Sequence, residues 1–177
     1  MINIPMTPDG PDMDTIRELV TNDPSVKAIW CVPKYLNPSG ESYSEETVKA
    51  LASMPTAAKD FRIMWDNAYA VHHIADGLAT LTDLMDACDK ADNPDCPVVF
   101  GSTSKLTLAG AGVAMLASSL VNIKDHLEKI GHGTIGPDKI NQLRHVRFFK
   151  NMDGILEHMK KHAESIAPKF AAVDEAL

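Results

Sequence analysis

The sequence lacks several features, and each absence excludes a class of protein. It contains no apolar run that approaches the roughly 20 residues a helix needs to cross a bilayer. Its 17 basic residues are outnumbered by 24 acidic ones, which gives a net charge of −7, so the basic excess typical of nucleic-acid or anionic-membrane binding is missing. The first residues show no basic start followed by an apolar stretch, and we therefore expect no signal peptide.

Residues that form disulfides or bind metals are also scarce. The three cysteines, Cys31, Cys88 and Cys96, include no CxxC motif and cannot all pair, which indicates a reducing compartment, most simply the cytoplasm. His72 and His73 are adjacent, so on a strand they would face opposite ways, and no HExxH pattern accompanies them. The sequence therefore predicts no metal site.

Strand and helix patterns alternate along the first two thirds of the chain. Helices are predicted from Asp12, from Ser44 and over residues 80–88. A short buried strand is predicted over residues 27–32, and further strands over residues 61–65, 97–100 and 113–116. Such alternation is typical of an α/β domain with a mainly parallel sheet. Both tryptophans, Trp30 and Trp65, lie in these strands and are predicted to be core aromatics.

The remainder of the chain, from Ser119, is predicted to be helical, with a break at residues 131–133 and a restart near Pro137. An apolar stripe at helical spacing then runs from Leu156 to Leu177, which Pro168 should kink without ending. A stripe of this length needs a partner surface. The cluster of Arg144, His145 and Arg147 is interpreted as a solvated helix face, with substrate carboxylate binding as the alternative.

Polar side chains follow three of the predicted strands. Asn37 lies in the loop after the first, Asp66 follows the second, and Ser102, Ser104 and Lys105 follow the third. In parallel sheets, ligands gather at the carboxyl ends of the strands. Hydroxyls in a turn before a helix suit a phosphate, a lysine can form an imine with a carbonyl compound, and a carboxylate can keep a heteroaromatic nitrogen protonated. Together these groups point to pyridoxal phosphate.

Each of these residues also has a purely structural interpretation. Lys105 alone would be taken as a surface lysine, Asp66 and Asn37 as turn residues, and the serines as helix caps. Their combination, with Tyr69 three residues after Asp66, favours the cofactor role.

Three motifs carry a family resemblance. Asn37-Pro38-Ser39-Gly40, Asp66-Asn67-Ala68-Tyr69 and Ser102-Thr103-Ser104-Lys105 resemble the N-P-[TS]-G, D-x-A-Y and S-x-S-K motifs of fold-type I, pyridoxal-phosphate-dependent aminotransferases, in the same order and at matching spacing. The surrounding sequence is similar to a bacterial subgroup of aspartate-type enzymes. The resemblance implies a three-layer α/β/α fold, with residues 1–118 as the central part of the cofactor-binding large domain and residues 119–177 as a helical segment leading to a small domain.

The resemblance also implies a role for each motif residue. Lys105 would bind the cofactor covalently and shuttle a proton, and Asp66 would pair with the pyridinium nitrogen. Asn37 and Tyr69 would hydrogen-bond the phenolic oxygen. Ser102 and Ser104 would bind the phosphate.

The sequence departs from the family pattern in two respects. The arginine that usually follows the lysine by seven or eight residues is replaced by Gly112 and Val113, a glycine-rich version that the bacterial subgroup shares. Full members of the family are about twice this length by domain-size reasoning, so we expect the chain to represent part of the large domain. An upstream phosphate loop and a downstream arginine for the substrate carboxylate would lie outside it.

The leading hypothesis is an aminotransferase that moves an amino group from aspartate or a similar amino acid to a 2-oxo acid such as 2-oxoglutarate, with a homodimer expected from the family. One alternative is a non-catalytic aminotransferase-like module of a transcription regulator, which binds pyridoxal phosphate or an effector. A second is an inert scaffold that binds no cofactor.

Overall fold

The structure, a computed structural model, describes residues 1–74 and 80–177. The chain divides into two compact units. The first comprises Met1–Ala68, Thr80–Gly101 and Met115–Ile135, and the second comprises Tyr69–Ala79, Ser102–Ala114 and Gly136–Leu177. The two units are described in turn.

The first unit is built on a four-stranded sheet. A short antiparallel hairpin, β1 (Met6–Thr7) and β2 (Gly10–Pro11), precedes it. The sheet has the order β3-β4-β5-β6, and β4 is parallel to both β3 and β5. Its strands are β3 (Ala28–Cys31), β4 (Arg62–Asp66), β5 (Pro97–Ser102) and β6 (Ala114–Ser118). The predicted α/β class with a mainly parallel sheet is confirmed.

Four helices accompany these strands, and each begins where a polar side chain caps it. The helices are α1 (Met13–Asn22), α2 (Glu45–Ser53), α3 (Leu84–Lys90) and α4 (Leu120–Gly133). The caps of the first two are the predicted ones: Asp12 accepts from the amides of Asp14 and Thr15, and Ser44 accepts from the amide of Thr47. Capping of this kind satisfies amides that have no partner within the helix.

One apolar core joins the helices to the sheet. It contains Ile16 of α1, Leu51 of α2, Ile63 and Trp65 of β4, and Leu84 of α3, all at most 2% exposed. Alternate residues of β4 face this core, as a strand with one buried face requires.

Several predictions for this unit need correction. The first strand is not buried, because only Cys31 of β3 is fully covered. Trp30 is 63% exposed and stacks on Phe100 with ring centroids 5.7 Å apart, so it is not a core aromatic, whereas Trp65 is. The helix predicted over residues 80–88 begins only at Leu84, where Asp83 caps it. The break predicted at residues 131–133 falls at the end of α4, which includes Gly131 and ends at Gly133, with Thr134 as its C-cap.

All three cysteines are buried free thiols. Burial raises the pKa of the Cys31 and Cys88 thiols to about 12, which keeps them protonated and poorly nucleophilic. None of the helices in the described part of the chain is long and apolar enough to cross a membrane.

The second unit contains the helices α5 (Lys139–Phe149) and α6 (Met152–Ala176). Its small core consists of Leu106, Phe149 and Met159. The predicted restart is confirmed, with Asp138 capping α5, and α6 includes Pro168 without ending. The apolar stripe on α6 is largely uncovered: Phe170 is 56% and Val173 is 54% exposed. The chain is helical after residue 118, as expected, while the proposed domain boundary at 118/119 stays a prediction.

The core of the first unit provides a stability test. Replacing Leu51, which is fully buried, by alanine should lower the free energy of unfolding by about 2–5 kcal/mol, because a cavity replaces its packing contacts. Leu127→Ala on α4 is the matched control, since that side chain is 61% exposed and its loss should change the value by less than about 0.5 kcal/mol. Urea unfolding measures both, and equal effects of the two substitutions would contradict this description of the core.

Candidate active site

The predicted site residues are distributed over both compact units. Asp66 is the last residue of β4, and Asn37 lies exposed in the loop after β3; both belong to the first unit. Tyr69, Ser102, Ser104 and Lys105 belong to the second. The structure brings Lys105 together with Tyr69, and Ser102 with Ser104. The relation of Asp66 and Asn37 to Lys105 stays a prediction.

Lys105 and Tyr69 form a close pair. The Lys105 ammonium donates a hydrogen bond of 2.6 Å to the Tyr69 hydroxyl oxygen, and its Nζ lies 3.9 Å from the centroid of the tyrosine ring. Lys105 is exposed, so its amine is accessible to a dissolved aldehyde. A hydroxyl at this distance can hold the amine in one place and exchange a proton with it.

The two serines form a hydroxyl pair directly before the lysine. The Ser102 hydroxyl donates to Ser104 Oγ at 2.8 Å and accepts from the Ser104 amide at 3.1 Å. This geometry offers two adjacent hydroxyls in the turn that follows β5. Hydroxyls and amides in such a turn are suited to binding an anion.

Gly112, one of the two positions at which the family resemblance would place an arginine, lies directly against this turn. A Cβ added at Gly112 would overlap Ser104 Oγ and lie 3.0 Å from both the amide nitrogen and the Cα of Ser104. Glycine at this position therefore permits the close approach of the backbone at Gly112 to the backbone at Ser104. A side chain at this position would force the serine turn to move.

The Asp66 carboxylate has a structural role in the turn after β4 and can accept further hydrogen bonds. Its register partner in the sheet is Phe100 of β5, and its Oδ1 accepts from the Ala68 amide at 3.2 Å. The turn role suggested by the sequence is thus present. Because a carboxylate can accept about four hydrogen bonds, it is compatible with a role toward a ligand.

His72 lies beside the lysine backbone. Its Nε2 is 3.3 Å from the Lys105 carbonyl oxygen, and since a carbonyl only accepts, Nε2 carries the proton. Burial lowers the pKa of His72 below its ordinary value, which favours the neutral ring. Within residues 1–74 and 80–177, no group of three or more histidine, cysteine or acidic side chains is placed to hold a metal ion.

A second layer of residues around the lysine is not among the predicted site residues. His145 of α5 lies 2.9 Å from Thr103 Oγ1 and 3.1 Å from Thr107 Oγ1 through its Nε2. Asn141, one turn earlier, donates to the Gly112 carbonyl at 2.8 Å. The interpretation of Arg144, His145 and Arg147 as a solvated face is therefore wrong for His145 and holds for the two exposed arginines. The spacing of Asn141 and His145 on one helix face was the available signal.

These residues also border a groove of about 690 Å³ in the second unit. Apolar side chains dominate it, with basic groups at its margin. Its lining includes Leu106, Leu108, Phe148, Arg144, His145 and His158. The His158 ring donates from Nε2 to the Leu106 carbonyl at 2.7 Å, which fixes α6 to the segment immediately after the lysine.

The sequence matches the protein family described as "Aspartate amino-transferase" over residues 1–177. The chain belongs to this family. It is 48% identical over 177 residues to an aspartate aminotransferase of Corynebacterium glutamicum, all of this chain aligning with 41% of that protein. It is 53% identical over 176 residues to a provisionally named aminotransferase of Mycolicibacterium smegmatis, 99% of this chain aligning with 41% of the relative.

Solved structures agree with this assignment. The crystal structure of an aspartate transaminase from Corynebacterium glutamicum superposes with a TM-score of 0.94 at 47% identity, over 99% of this chain and 41% of that one. An α-aminoadipate aminotransferase of Thermus thermophilus, complexed with N-(5'-phosphopyridoxyl)-L-leucine, gives a TM-score of 0.79 at 20% identity, over 98% of this chain and 44% of that one. The latter likeness concerns the fold alone. The chain spans 41% of the length of both curated relatives.

Proposed function

We propose that this chain carries the cofactor-binding lysine of an aspartate-type aminotransferase, which uses pyridoxal phosphate to move an amino group from an amino acid to a 2-oxo acid such as 2-oxoglutarate. The observation that carries the proposal is the 2.6 Å hydrogen bond from Lys105 to Tyr69 in a member of the aspartate amino-transferase family. Covalent binding of an aldehyde cofactor requires an accessible amine, and the phenol beside it can hold that amine in place and exchange a proton with it.

The residues present fit pyridoxal phosphate. Besides the amine, the same unit offers the hydroxyl pair of Ser102 and Ser104, 2.8 Å apart, for the phosphate. Gly112 packs against Ser104 where any Cβ would collide with it, so the absence of a side chain there lets the serine turn keep this conformation. The Thermus thermophilus structure of the same fold, which holds a phosphopyridoxyl ligand, supports this reading.

The cofactor, when bound, supplies an aromatic ring that accepts the negative charge developing at the substrate Cα. Lys105 provides the amine that attaches the cofactor and, once released, takes and returns the proton at the substrate Cα. The Tyr69 hydroxyl orients that amine. By donating a hydrogen bond to the phenolic oxygen of the cofactor, it also favours the anionic form of that oxygen near neutral pH.

The other predicted residues complete the proposed site. Asp66 accepts a hydrogen bond from the ring nitrogen and favours its protonated form. Asn37 donates to the phenolic oxygen together with Tyr69. Ser102 and Ser104 bind the phosphate through their hydroxyls. These hydroxyls act in place of the charged contact that the usual arginine would make, because Gly112 and Val113 stand at its two possible positions.

We also propose that the protein acts as a homodimer in the cytoplasm. The exposed apolar stripe on α6, which includes Phe170 and Val173, offers surface that a second copy could cover. The three free buried thiols agree with a reducing compartment. Sedimentation of the purified protein would test the dimer directly.

Adding pyridoxal phosphate to the protein should produce a visible absorption band and, after borohydride reduction, a mass increase on the peptide that contains Lys105. Aspartate should then convert the band to that of the amine form of the cofactor, and 2-oxoglutarate should restore it. Deoxypyridoxine phosphate, which lacks the aldehyde, is the matched control and should give no adduct. Because the arginine expected to bind the substrate carboxylate lies outside this chain, the aspartate step is measured on the full-length protein, where an unchanged band would contradict amino transfer. The absence of any adduct there would contradict cofactor binding as well.

A further inference from the structure

The lysine is carried by a loop whose two ends are both fixed to α5. We call residues 102–113 the lysine loop. We infer that His145 is a positioning residue: as a hydrogen-bond acceptor, it holds the lysine loop in the conformation that presents the Lys105 amine. This inference rests on the proposed function, because it concerns how the same lysine is aimed.

His145 contacts one residue on each side of Lys105 in the sequence. Its Nε2 lies 2.9 Å from Thr103 Oγ1 and 3.1 Å from Thr107 Oγ1, and these threonines stand two residues before and two residues after Lys105. The intervening turn is closed by the amides of Leu106 and Thr107, which donate to the Thr103 carbonyl at 2.9 and 3.0 Å. Because both amides and the Thr107 hydroxyl donate to the Thr103 carbonyl, fixing Thr103 to the ring holds the turn that follows it.

The hydrogen-bond network defines which form of the ring does this. His145 Nδ1 is 2.8 Å from the Asn141 carbonyl oxygen, which only accepts, so Nδ1 carries a proton. The Thr107 hydroxyl donates to the Thr103 carbonyl at 3.2 Å, so its single proton is used. Thr103 Oγ1 accepts from the Val113 amide at 2.7 Å, which leaves its own proton for Nε2. The neutral ring with an unprotonated Nε2 therefore accepts from the Thr103 hydroxyl, and Thr107 Oγ1 lies in contact with the same nitrogen at 3.1 Å without donating to it.

The same helix holds the far end of the loop. The Asn141 side chain, only 8% exposed, donates to the Gly112 carbonyl at 2.8 Å. The two ends are joined to each other as well, since the Thr103 amide donates to the Val113 carbonyl at 3.0 Å. Loss of the acceptor at His145 would release Thr103 Oγ1, and with it the Val113 amide.

A displacement of about 1 Å in a reacting group can reduce a rate about 100-fold. His145→Leu, which keeps an apolar side chain but removes the acceptor, should slow formation of the reducible adduct with pyridoxal phosphate between about 10-fold and 100-fold. His145→Gln, whose Oε1 can accept near the position of Nε2, should restore the rate to within about threefold of the original. Gln142→Ala, an exposed position on the same helix, is the control and should leave the rate unchanged.

Amide hydrogen exchange provides a readout that does not require the cofactor. The Val113 amide should exchange faster in His145→Leu and at the original rate in His145→Gln. If His145→Leu does not fold, Thr103→Val tests the same link: it should expose the Val113 amide, whereas Thr103→Ser, which keeps the hydroxyl, should not.

Several outcomes would overturn the inference. Unchanged adduct rate and Val113 exchange in His145→Leu would do so, and so would a loss that His145→Gln fails to restore, because packing rather than acceptance would then explain it. If the unsubstituted chain forms no adduct, the proposed function fails, and Val113 exchange alone then decides the role of His145 in the loop.

Discussion

Replacing Lys105 by alanine is expected to abolish the borohydride-reducible adduct with pyridoxal phosphate completely. The reason is covalent: only an unprotonated primary amine at the site can condense with the aldehyde, and Lys105 is the lysine held at 2.6 Å by Tyr69. Intact mass after reduction measures the effect. Lys124→Ala, an exposed position on α4, is the matched control and should retain the full adduct on Lys105.

Lys105→Arg separates the covalent role from the electrostatic one. Its guanidinium keeps the positive charge but stays protonated near neutral pH, so anionic cofactor can still bind without forming the adduct. Equilibrium dialysis would show retained binding in Lys105→Arg and reduced binding in Lys105→Ala. An adduct of undiminished yield in Lys105→Ala would instead mean that surface lysines react nonspecifically, and the assignment of Lys105 would be wrong.

The parts of the fold that the sequence predicted correctly are those encoded locally. Asp12 and Ser44 predict the starts of α1 and α2, because the N-cap residue and the apolar residues spaced after it lie within one or two helical turns of each other. The strands before Asp66 and Ser102 follow in the same way from short apolar runs that end in turn residues.

The errors concern properties that depend on distant residues. Trp30 lies in an apolar run, but among the described residues β3 is the edge strand next to β4. The Trp30 side chain is exposed and stacks on Phe100. Periodicity cannot show how many layers cover a strand. The break predicted at residues 131–133 is placed by the structure at its last residue: α4 includes Gly131 and ends at Gly133, since one glycine in a helix costs only about 1 kcal/mol relative to alanine.

The candidate site shows the same division. The motif residues Tyr69 and Lys105, 36 positions apart, could be paired because the family resemblance supplied a long-range relation that spacing alone does not. For His145 the sequence offered only its spacing from Asn141 on one helix face, which does not show that the ring contacts residues 38 and 42 positions away. A polar residue that supports a loop from a separate helix becomes visible only when the backbone path is known.

Restoring the family arginine at Gly112 should damage the site. Gly112→Arg introduces a Cβ that would overlap Ser104 Oγ and press on the Ser104 backbone, so the serine turn must shift before the guanidinium can reach any phosphate. We expect a loss of about 1–3 kcal/mol in the free energy of unfolding, as for other overpacked positions, together with weaker retention of pyridoxal phosphate. Urea unfolding and cofactor dialysis measure the two effects.

The origin of the loss can be separated by smaller substitutions. Gly112→Ala adds the Cβ without the charge and should reproduce most of the destabilisation, because the clash and not the guanidinium is its cause. Gly136→Ala is the matched control in the same unit: no atom lies within 4 Å of the added Cβ, so stability should be kept or raised by about 0.4–1 kcal/mol. Tighter cofactor binding by a fully stable Gly112→Arg would show that the serine turn adapts freely, and that the glycine is not required by the close approach of Ser104.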